Sequence, residues 1–162
     1  MNEFPSSSSK LQVLETDDIA GVLAAPICTL LSPSLTDLRF CWDEEVDRFT
    51  KEQEDALQLL TSLEITFWFS DKLQCLPAGL HGLPNLKRLN IYRCQAIRSL
   101  PKDGLPSSLQ KLKINSCPAI RSLPKANDLP SSLRELDVRD SENKELRRQC
   151  RKLIGIIPVV YA

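Results

Sequence analysis

The sequence predicts an α/β solenoid, in which short parallel β-strands stack side by side and each strand is followed by a return segment. Two observations support this prediction. The first is a tandem duplication: NLKRLNIYRCQAIRSLPKDGLP at 85–106 is followed directly by SSLQKLKINSCPAIRSLPKANDLP at 107–130. Self-similarity at a short fixed period is typical of chains in which each copy forms one supersecondary unit and stacks on the next.

The second observation is the pattern Leu-x-x-Leu-x-apolar inside each copy. It begins at Leu86 and Leu109 in the duplicated copies, at Leu133 downstream, at Leu35 upstream and, more weakly, at Leu11. Alternate side chains of a strand point to opposite faces, so the second Leu and the residue two positions later enter the core together. With one further unit around Ile65 and Phe67, the pattern predicts about six short parallel strands. The return segments contain Pro and are predicted to form an irregular convex side, giving a leucine-rich-repeat horseshoe.

One unit departs from the common spacing. Leu63 lies only two residues before Ile65, whereas the first Leu of the other units lies three residues before the second. Ser70 lies seven residues before Pro77, as Cys94 lies before Pro101 and Cys117 before Pro124. This spacing fixes Ile65 as the inward residue. We therefore expect a local irregularity at 62–64.

The repeat domain is predicted to span residues 11–140, with an insertion at about 43–60. The preceding segment 1–10, MNEFPSSSSK, is polar and predicts a disordered tail. Within the insertion, Thr50 and Gln53 have the spacing of a capping box, which predicts a helix of about three turns.

Residues 141–162 are predicted to form a C-terminal capping helix and tail. Ser141 can cap the start of this helix, and Leu146, Cys150 and Leu153 fall on one apolar stripe. A solenoid has to cover its last exposed core edge, and terminal units with a polar outer surface do so.

The charge is balanced overall but uneven along the chain. The formal net charge is zero, while 43–55 carries seven acids and two bases and 87–125 carries one acid and nine bases. A neutral molecule is not expected to bind nucleic acid. No run approaches the length of a membrane span, and the start of the chain lacks the basic and apolar stretches of a signal peptide. We therefore expect a cytoplasmic protein with no membrane or nucleic-acid partner.

The reactive side chains do not predict catalysis, a metal or a cofactor. The six cysteines form no Cys-x-x-Cys pair, and the single histidine, His81, lies in the turn-rich segment LPAGLHGLP. Cys94 and Cys117 occupy equivalent inward positions, where we expect core packing in a reducing compartment rather than a disulfide or redox role. The serine pairs at 107–108 and 131–132 recur with the repeat and are expected to form turns, so we expect no enzymatic activity.

Strand alternation also predicts which side chains line the concave face. Aromatic residues gather at these positions on neighbouring strands, and Trp, Tyr and Arg are frequent in binding hot spots. The residues predicted to bind a partner are Trp42, Trp68, Phe69, Tyr92, Arg93, Lys113 and Arg139.

The tandem LPSSL…IRSLP units and the ending LRRQCRKLIGIIPVVYA resemble the C-terminal end of plant nucleotide-binding leucine-rich-repeat disease-resistance receptors, with a grass-like character. The match at 145–158 is the more specific part. The resemblance implies a non-catalytic protein-interaction module that recognises effectors and restrains a receptor switch. The implied partner is a pathogen effector, a guarded host protein or another domain of a parent receptor. The chain lacks a Gly-x-x-x-x-Gly-Lys-Ser/Thr loop, so nucleotide binding is not expected of it.

Two other classes remain open as alternatives. Cys-x-x-Ile after the strand also occurs in the substrate-recruiting repeats of ubiquitin ligases, although the Leu-Pro at the end of each unit and the lack of an F-box-like helical segment before Leu11 favour the receptor class. An extracellular receptor domain ranks last, because the sequence contains no Asn-x-Ser/Thr and carries Cys94 and Cys117 at the inward positions.

Overall fold

The computed structural model describes residues 10–101 and 104–162, so the predicted tail, apart from Lys10, lies outside the described residues. The described residues form one open sheet of seven parallel strands in chain order. The strands are β1 (Val13–Thr16), β2 (Asp37–Cys41), β3 (Glu64–Trp68), β4 (Arg88–Tyr92), β5 (Lys111–Asn115), β6 (Glu135–Asp137) and β7 (Val159–Tyr161). Each strand pairs with its neighbours in sequence, which confirms the α/β class and is compatible with a solenoid.

The core side of the sheet carries two rows of buried apolar residues. The second Leu of the pattern aligns across the strands, as Leu38 opposite Ile65 and then Leu89, Leu112 and Leu136. The residue two positions later forms the second row, Phe40, Phe67, Ile91, Ile114 and Val138. Both rows are at most 1% exposed. Each such side chain contributes roughly 1.5–3 kcal/mol by leaving water.

The irregularity expected at 62–64 is absent. Glu64 pairs in register with Asp37 and Arg88, so β3 continues the sheet without a break. Ser62 occupies the position of the first Leu: it is buried, and its hydroxyl donates to the Leu35 carbonyl at 3.1 Å. Leu63 is an additional half-buried residue rather than a displaced member of the pattern.

The insertion forms a helix on the core side of the sheet. Helices α1 (Ile19–Val22) and α2 (Ala25–Leu31) follow β1, and α3 (Lys51–Leu57) follows β2. The predicted capping box begins α3, since Gln53 N–H donates to Thr50 Oγ1 at 3.1 Å and Thr50 N–H donates to Gln53 Oε1 at 2.9 Å. Ahead of α3, Phe49 meets Phe67 edge-on at 6.1 Å between ring centroids. Between β3 and β6, the return segments contain only the short 3-10 turns Ala78–Gly82 and Ala126–Asp128 among the described residues.

The C-terminal region differs from the prediction in two ways. Helix α4 (Lys144–Arg151) begins two residues later than expected, because the Asn143 side chain, not Ser141, caps it by accepting from Glu145 and Leu146 N–H groups. The final residues are not a tail but the seventh strand, β7, which pairs with β6. Leu146, Cys150 and Leu153 are buried, as predicted. None of the helices in the described ranges has the length and apolar character needed to cross a membrane.

Candidate partner-binding face

The predicted binding residues lie on the outer face of the sheet, opposite the two buried rows. Strand β4 illustrates the alternation: Leu89 and Ile91 are buried, whereas the residues between and beside them are half-buried on the other face. The residue that follows each of β2 to β5 forms what we name the exit row, consisting of Trp42, Phe69, Arg93 and Ser116.

The exit row has an unusual backbone. Its four residues have φ values of 65°, 54°, 50° and 53°, in the left-handed region that a non-glycine residue enters at a cost of about 1–2 kcal/mol. Sheet pairing holds the conformation in place: Trp42 N–H donates to Trp68 O at 2.9 Å, Phe69 N–H to Tyr92 O at 3.0 Å, and Arg93 N–H to Asn115 O at 2.8 Å. Bulky residues in this region are rare, and such local strain concentrates at functional sites.

The left-handed turn sends the next residue back into the protein. These positions are Asp43, Ser70, Cys94 and Cys117, and each is at most 2% exposed. The thiols of Cys94 and Cys117 donate to the carbonyls of Phe67 and Ile91, the inward residues of the preceding strand, both at 3.6 Å. The exit row is therefore fixed on both sides, by sheet pairing before the turn and by buried side chains after it.

Four aromatic rings form what we name the aromatic cluster: Trp42, Trp68, Phe69 and Tyr92. Trp42 stacks on Phe69 with centroids 4.1 Å apart and planes 5° from parallel. Trp68 lies 5.9 Å from both Phe69 and Tyr92. Trp42 is 57% exposed and Trp68 is 42% exposed, so the cluster presents indole surface to solvent. α3 does not cover it, since that helix packs on the opposite side of the sheet.

Cationic side chains join the cluster to the C-terminal strands. The Arg93 guanidinium lies over the Phe69 ring, and the Lys113 ammonium lies over the Tyr92 ring, both at 5.5 Å from the centroid. Cations over aromatic faces are attracted by the ring quadrupole, so these contacts order both partners.

Asp137 connects the remaining predicted residue to this set. Its carboxylate lies 4.0 Å from Lys113 Nζ and 3.4 Å from an Arg139 nitrogen. Arg139 in turn lies 4.3 Å over the ring of Tyr161 on β7. All seven predicted residues are thus connected by a continuous series of contacts. Asp137 and Tyr161 also belong to this series, and the sequence did not predict them as site residues. The run Val-Val-Tyr after Pro158 has strong strand propensity and could have identified β7.

A depression of about 300 Å³ lies at the centre of the outer face. Its lining consists of Arg39, Glu64, Thr66, Trp68, Asn90 and Tyr92. Glu64 accepts from Arg88 Nε at 3.1 Å and from Asn90 Nδ2 at 2.8 Å, and Asn90 Nδ2 also reaches Thr66 Oγ1 at 3.1 Å. The depression therefore combines a polar, hydrogen-bonded floor with aromatic walls.

Cys41 belongs to the same row as Trp68 and Tyr92 but is only 6% exposed, against the expectation that this row faces solvent. Burial, with the added negative charge of Glu15, raises the pKa of the Cys41 thiol to about 11. The adjacent Cys117 thiol and burial raise the pKa of Cys94. All six cysteines are free, and Cys75 is the one that is exposed. Five thiols are therefore sheltered from solvent.

The residues that could carry chemistry are dispersed in the described part of the chain. His81 is exposed, with Nδ1 3.1 Å from the Ala78 carbonyl oxygen. Ser108 and Ser132 lie in turns, as their repetition predicts, and their hydroxyls donate to the carbonyls of Leu86 and Leu109 in the preceding unit at 2.7 and 2.6 Å. The described residues contain no group of three or more His, Cys, Asp or Glu side chains able to hold a metal ion.

Comparisons with known proteins add no further constraint on function. No family model, curated protein or solved structure matches this chain. The functional assignment therefore depends on the geometry of the outer face.

Proposed function

We propose that the chain is a non-catalytic protein-interaction module, a leucine-rich-repeat segment that binds a protein partner through its outer face. The observation that carries the proposal is the aromatic cluster, in which two tryptophans that are 57% and 42% exposed lie on a backbone that sheet pairing holds rigid. Large aromatic side chains on a preorganised surface lose little conformational entropy on binding and provide much of the energy of protein interfaces.

The charges of the outer face favour a protein over a nucleic acid. Four of its cations, Arg39, Arg88, Lys113 and Arg139, lie within 4.0 Å of a carboxylate. A phosphate backbone requires a stripe of unneutralised cations, which this paired arrangement does not offer. A mixed surface with an aromatic centre and paired charges around it has the composition of a protein interface.

The parentage suggested by the repeat and by the C-terminal residues extends the proposal. In that reading the module is the recognition end of a plant immune receptor in the cytoplasm, and its partner is a pathogen effector, a guarded host protein or another receptor domain. Six free thiols support a reducing compartment, because disulfides form in oxidising ones. The register from β1 to β7 supports the repeat assignment, since every unit adds one parallel strand.

The test compares matched substitutions of exposed apolar residues. Trp68→Ala removes a ring of the aromatic cluster, whereas Leu59→Ala changes a side chain of similar exposure (45%) outside the cluster. Proteins captured from leaf extract by the unmodified chain are identified, purified and measured for direct binding by calorimetry. We expect Trp68→Ala to weaken binding about tenfold or more, the effect of one hot-spot residue, and Leu59→Ala to leave it unchanged.

Folding is measured in parallel by urea unfolding. A half-exposed Trp68 outside the core predicts a loss of stability of about 1 kcal/mol or less. Loss of the fold in Trp68→Ala, or equal binding by both variants, would show that the aromatic cluster is not the binding surface.

A further inference from the structure

A stack of side chains crosses the outer face and ends at Trp42. The Arg93 guanidinium lies over the Phe69 ring at 5.5 Å from its centroid, and the Trp42 indole lies against the same ring at 4.1 Å, 5° from parallel. Arg93 follows β4 and Trp42 follows β2, the strands on either side of β3, so they approach Phe69 from opposite sides. The second face of the Trp42 indole therefore points away from β3, towards β1, and the side chain is 57% exposed.

Other rings of the outer face already have a cation over them. The pairs are Phe69 with Arg93, Tyr92 with Lys113 and Tyr161 with Arg139. No described cation lies over Trp42. Continuing the register of Thr16 opposite Phe40 by two residues places Asp18 beside Trp42. The chain thus supplies an anion to Trp42 from the side on which Phe69 receives a cation.

Further carboxylates border the free face of the indole. A depression of about 570 Å³ is lined by Trp42 and four acidic residues, Asp17, Asp18, Glu44 and Glu45. Asp18 is engaged, since its carboxylate accepts from the Gly21 N–H at 2.9 Å. The other three side chains are exposed, and their carboxylates form no hydrogen bond or ion pair with the described residues. The depression therefore presents an aromatic surface and unneutralised negative charge side by side.

We propose that the protein partner places an arginine side chain on the free face of Trp42, next to these carboxylates. The inference rests on the proposed function, because it names the chemistry by which the same outer face recognises its partner. A guanidinium stacks flat on an indole while the N–H groups at its edge donate to carboxylates around the ring. An acidic or purely apolar partner would cover the carboxylates without pairing them, and burying an unpaired charge is costly.

The neighbouring segments of the chain do not provide this cation. Arg39, on the strand that precedes Trp42, is held by Asp37 at 2.8 Å. Residues 1–9 contain Glu3 and no lysine or arginine. Arg93 lies beyond Phe69, on the far side of the stack from the carboxylates. The complementary charge is therefore expected from the partner.

The probe is the blocked peptide acetyl-Gly-Arg-Gly-amide, titrated into the ¹⁵N-labelled full chain. Its match carries citrulline in place of arginine, since the ureido group has the same planar shape and no charge. The indole N–H signal of Trp42, assigned by its absence from Trp42→Phe, reports binding. We expect a saturable shift and an affinity about tenfold higher for the arginine peptide. Equal affinities, or a shift of the Trp68 indole signal alone, would overturn the inference.

Matched charge variants test the carboxylates. Glu44→Gln/Glu45→Gln should weaken binding of the arginine peptide about fivefold and leave the citrulline peptide unaffected. Glu52→Gln/Asp55→Asn removes the same charge on α3, on the other side of the sheet, and should bind the arginine peptide like the unmodified chain. All four side chains are exposed, so both variants should keep the spectrum of the folded chain. Equal losses in the two variants would indicate general charge attraction and overturn the inference.

The captured partner separates this inference from the proposed function. If the inference is correct, Glu44→Gln/Glu45→Gln weakens partner binding as Trp68→Ala does, and the α3 variant does not. Weakening by Trp68→Ala with full binding by Glu44→Gln/Glu45→Gln would overturn the arginine site and leave the proposed function in place. Full binding by both would overturn both.

Discussion

The aromatic units around β2 and β3 (residues 35–84) and the duplicated units around β4 and β5 (residues 85–130) have the same strand backbone and different side chains. All four strands align in register, bury the same two rows and end in a left-handed residue. The near-identity of 85–106 and 107–130 therefore reflects a geometry that the less similar units also adopt. Sequence similarity within this chain underestimates structural similarity.

The differences are confined to positions that the common backbone leaves free. The exit row is aromatic in the first pair of units (Trp42, Phe69) and polar in the second (Arg93, Ser116). The buried position after it is Asp43 and Ser70 in the first pair, against two cysteines in the second. A constant strand backbone thus carries the aromatic cluster beside the regular units, and the buried residue after the exit row differs with the return segment that follows.

The largest expected effect is at Asp43, where the insertion leaves the sheet. Its buried carboxylate accepts from the N–H groups of Ile19 at 2.8 Å and of Glu45 and Val46 at 2.9 Å. Asp43→Ala should lower the free energy of unfolding by about 4.5 kcal/mol or more, because hydrogen bonds to charged groups are worth about 1.5–3 kcal/mol each and three donors lose their partner. Urea unfolding measures the change.

Ser70→Ala is the matched substitution at the equivalent position of the next unit. Its hydroxyl is buried without a hydrogen-bond partner in the described residues, so the alanine variant should be at least as stable as the unmodified chain, with a gain of up to about 1 kcal/mol. Equal losses at Asp43 and Ser70 would show that the two buried positions do not differ in the way the contacts indicate.

A smaller effect on the free energy of unfolding is expected from substitutions in the left-handed exit row. Ser116 has a φ of 53° without the freedom of glycine, and a β-branched side chain is least tolerated there. Ser116→Val should be about 2 kcal/mol less stable than Ser116→Gly, since glycine enters this region without steric cost. The same pair at Arg121, which lies outside the exit row, should differ by less. Equal unfolding midpoints for Ser116→Val and Ser116→Gly would mean that the backbone at residue 116 leaves the left-handed region when valine is introduced.

The strand pattern and the outward-facing positions could be predicted because they depend on local periodicity. The spacing from Leu86 to Ile91 recurs and fixes which side chains alternate, whatever the tertiary surroundings. Trp42, Trp68 and Tyr92 were placed on one face by that alternation alone. Parallel strands in register then bring equivalent positions close together, as the ring distances of the aromatic cluster confirm.

The features that escaped prediction depend on long-range pairing. Nothing in Trp42 or Phe69 indicates a positive φ, for which glycine, asparagine or aspartate is the usual signal. Ser62 is a poor core residue by composition, yet it replaces a Leu because its hydroxyl reaches the Leu35 carbonyl of the neighbouring unit. Tyr161 is in a strand only because β6 offers an edge to it.

We expect Ser70→Cys to raise the free energy of unfolding by about 1 kcal/mol. The change gives this unit the residue that Cys94 and Cys117 supply in the duplicated units, where the longer thiol donates to a carbonyl of the preceding strand. It also removes a buried hydroxyl with no hydrogen-bond partner in the described residues, which is worth about 1 kcal/mol or more. Thermal unfolding under reducing conditions measures the gain. The reverse change, Cys94→Ser, should destabilise. A loss of stability in Ser70→Cys, or a gain in Cys94→Ser, would contradict this account of the row.

The smallest effect concerns reactivity rather than stability, and it separates the outer-face thiol Cys41 from the inward thiols. Burial raises the pKa of Cys41 to about 11, so little thiolate forms at mildly alkaline pH and alkylation should be much slower than at exposed Cys75. Cys41 aligns with Trp68 on the adjacent strand, about 4.8 Å away, so the indole is placed to shield it. Trp68→Ala should therefore speed alkylation of Cys41 several-fold, as followed by mass spectrometry of peptides.

Cys94 and Cys117 should stay unreactive in the same sample, because the sheet itself lies between them and the outer face. Faster alkylation of those two as well would mean that Trp68 supports the fold instead of covering its surface.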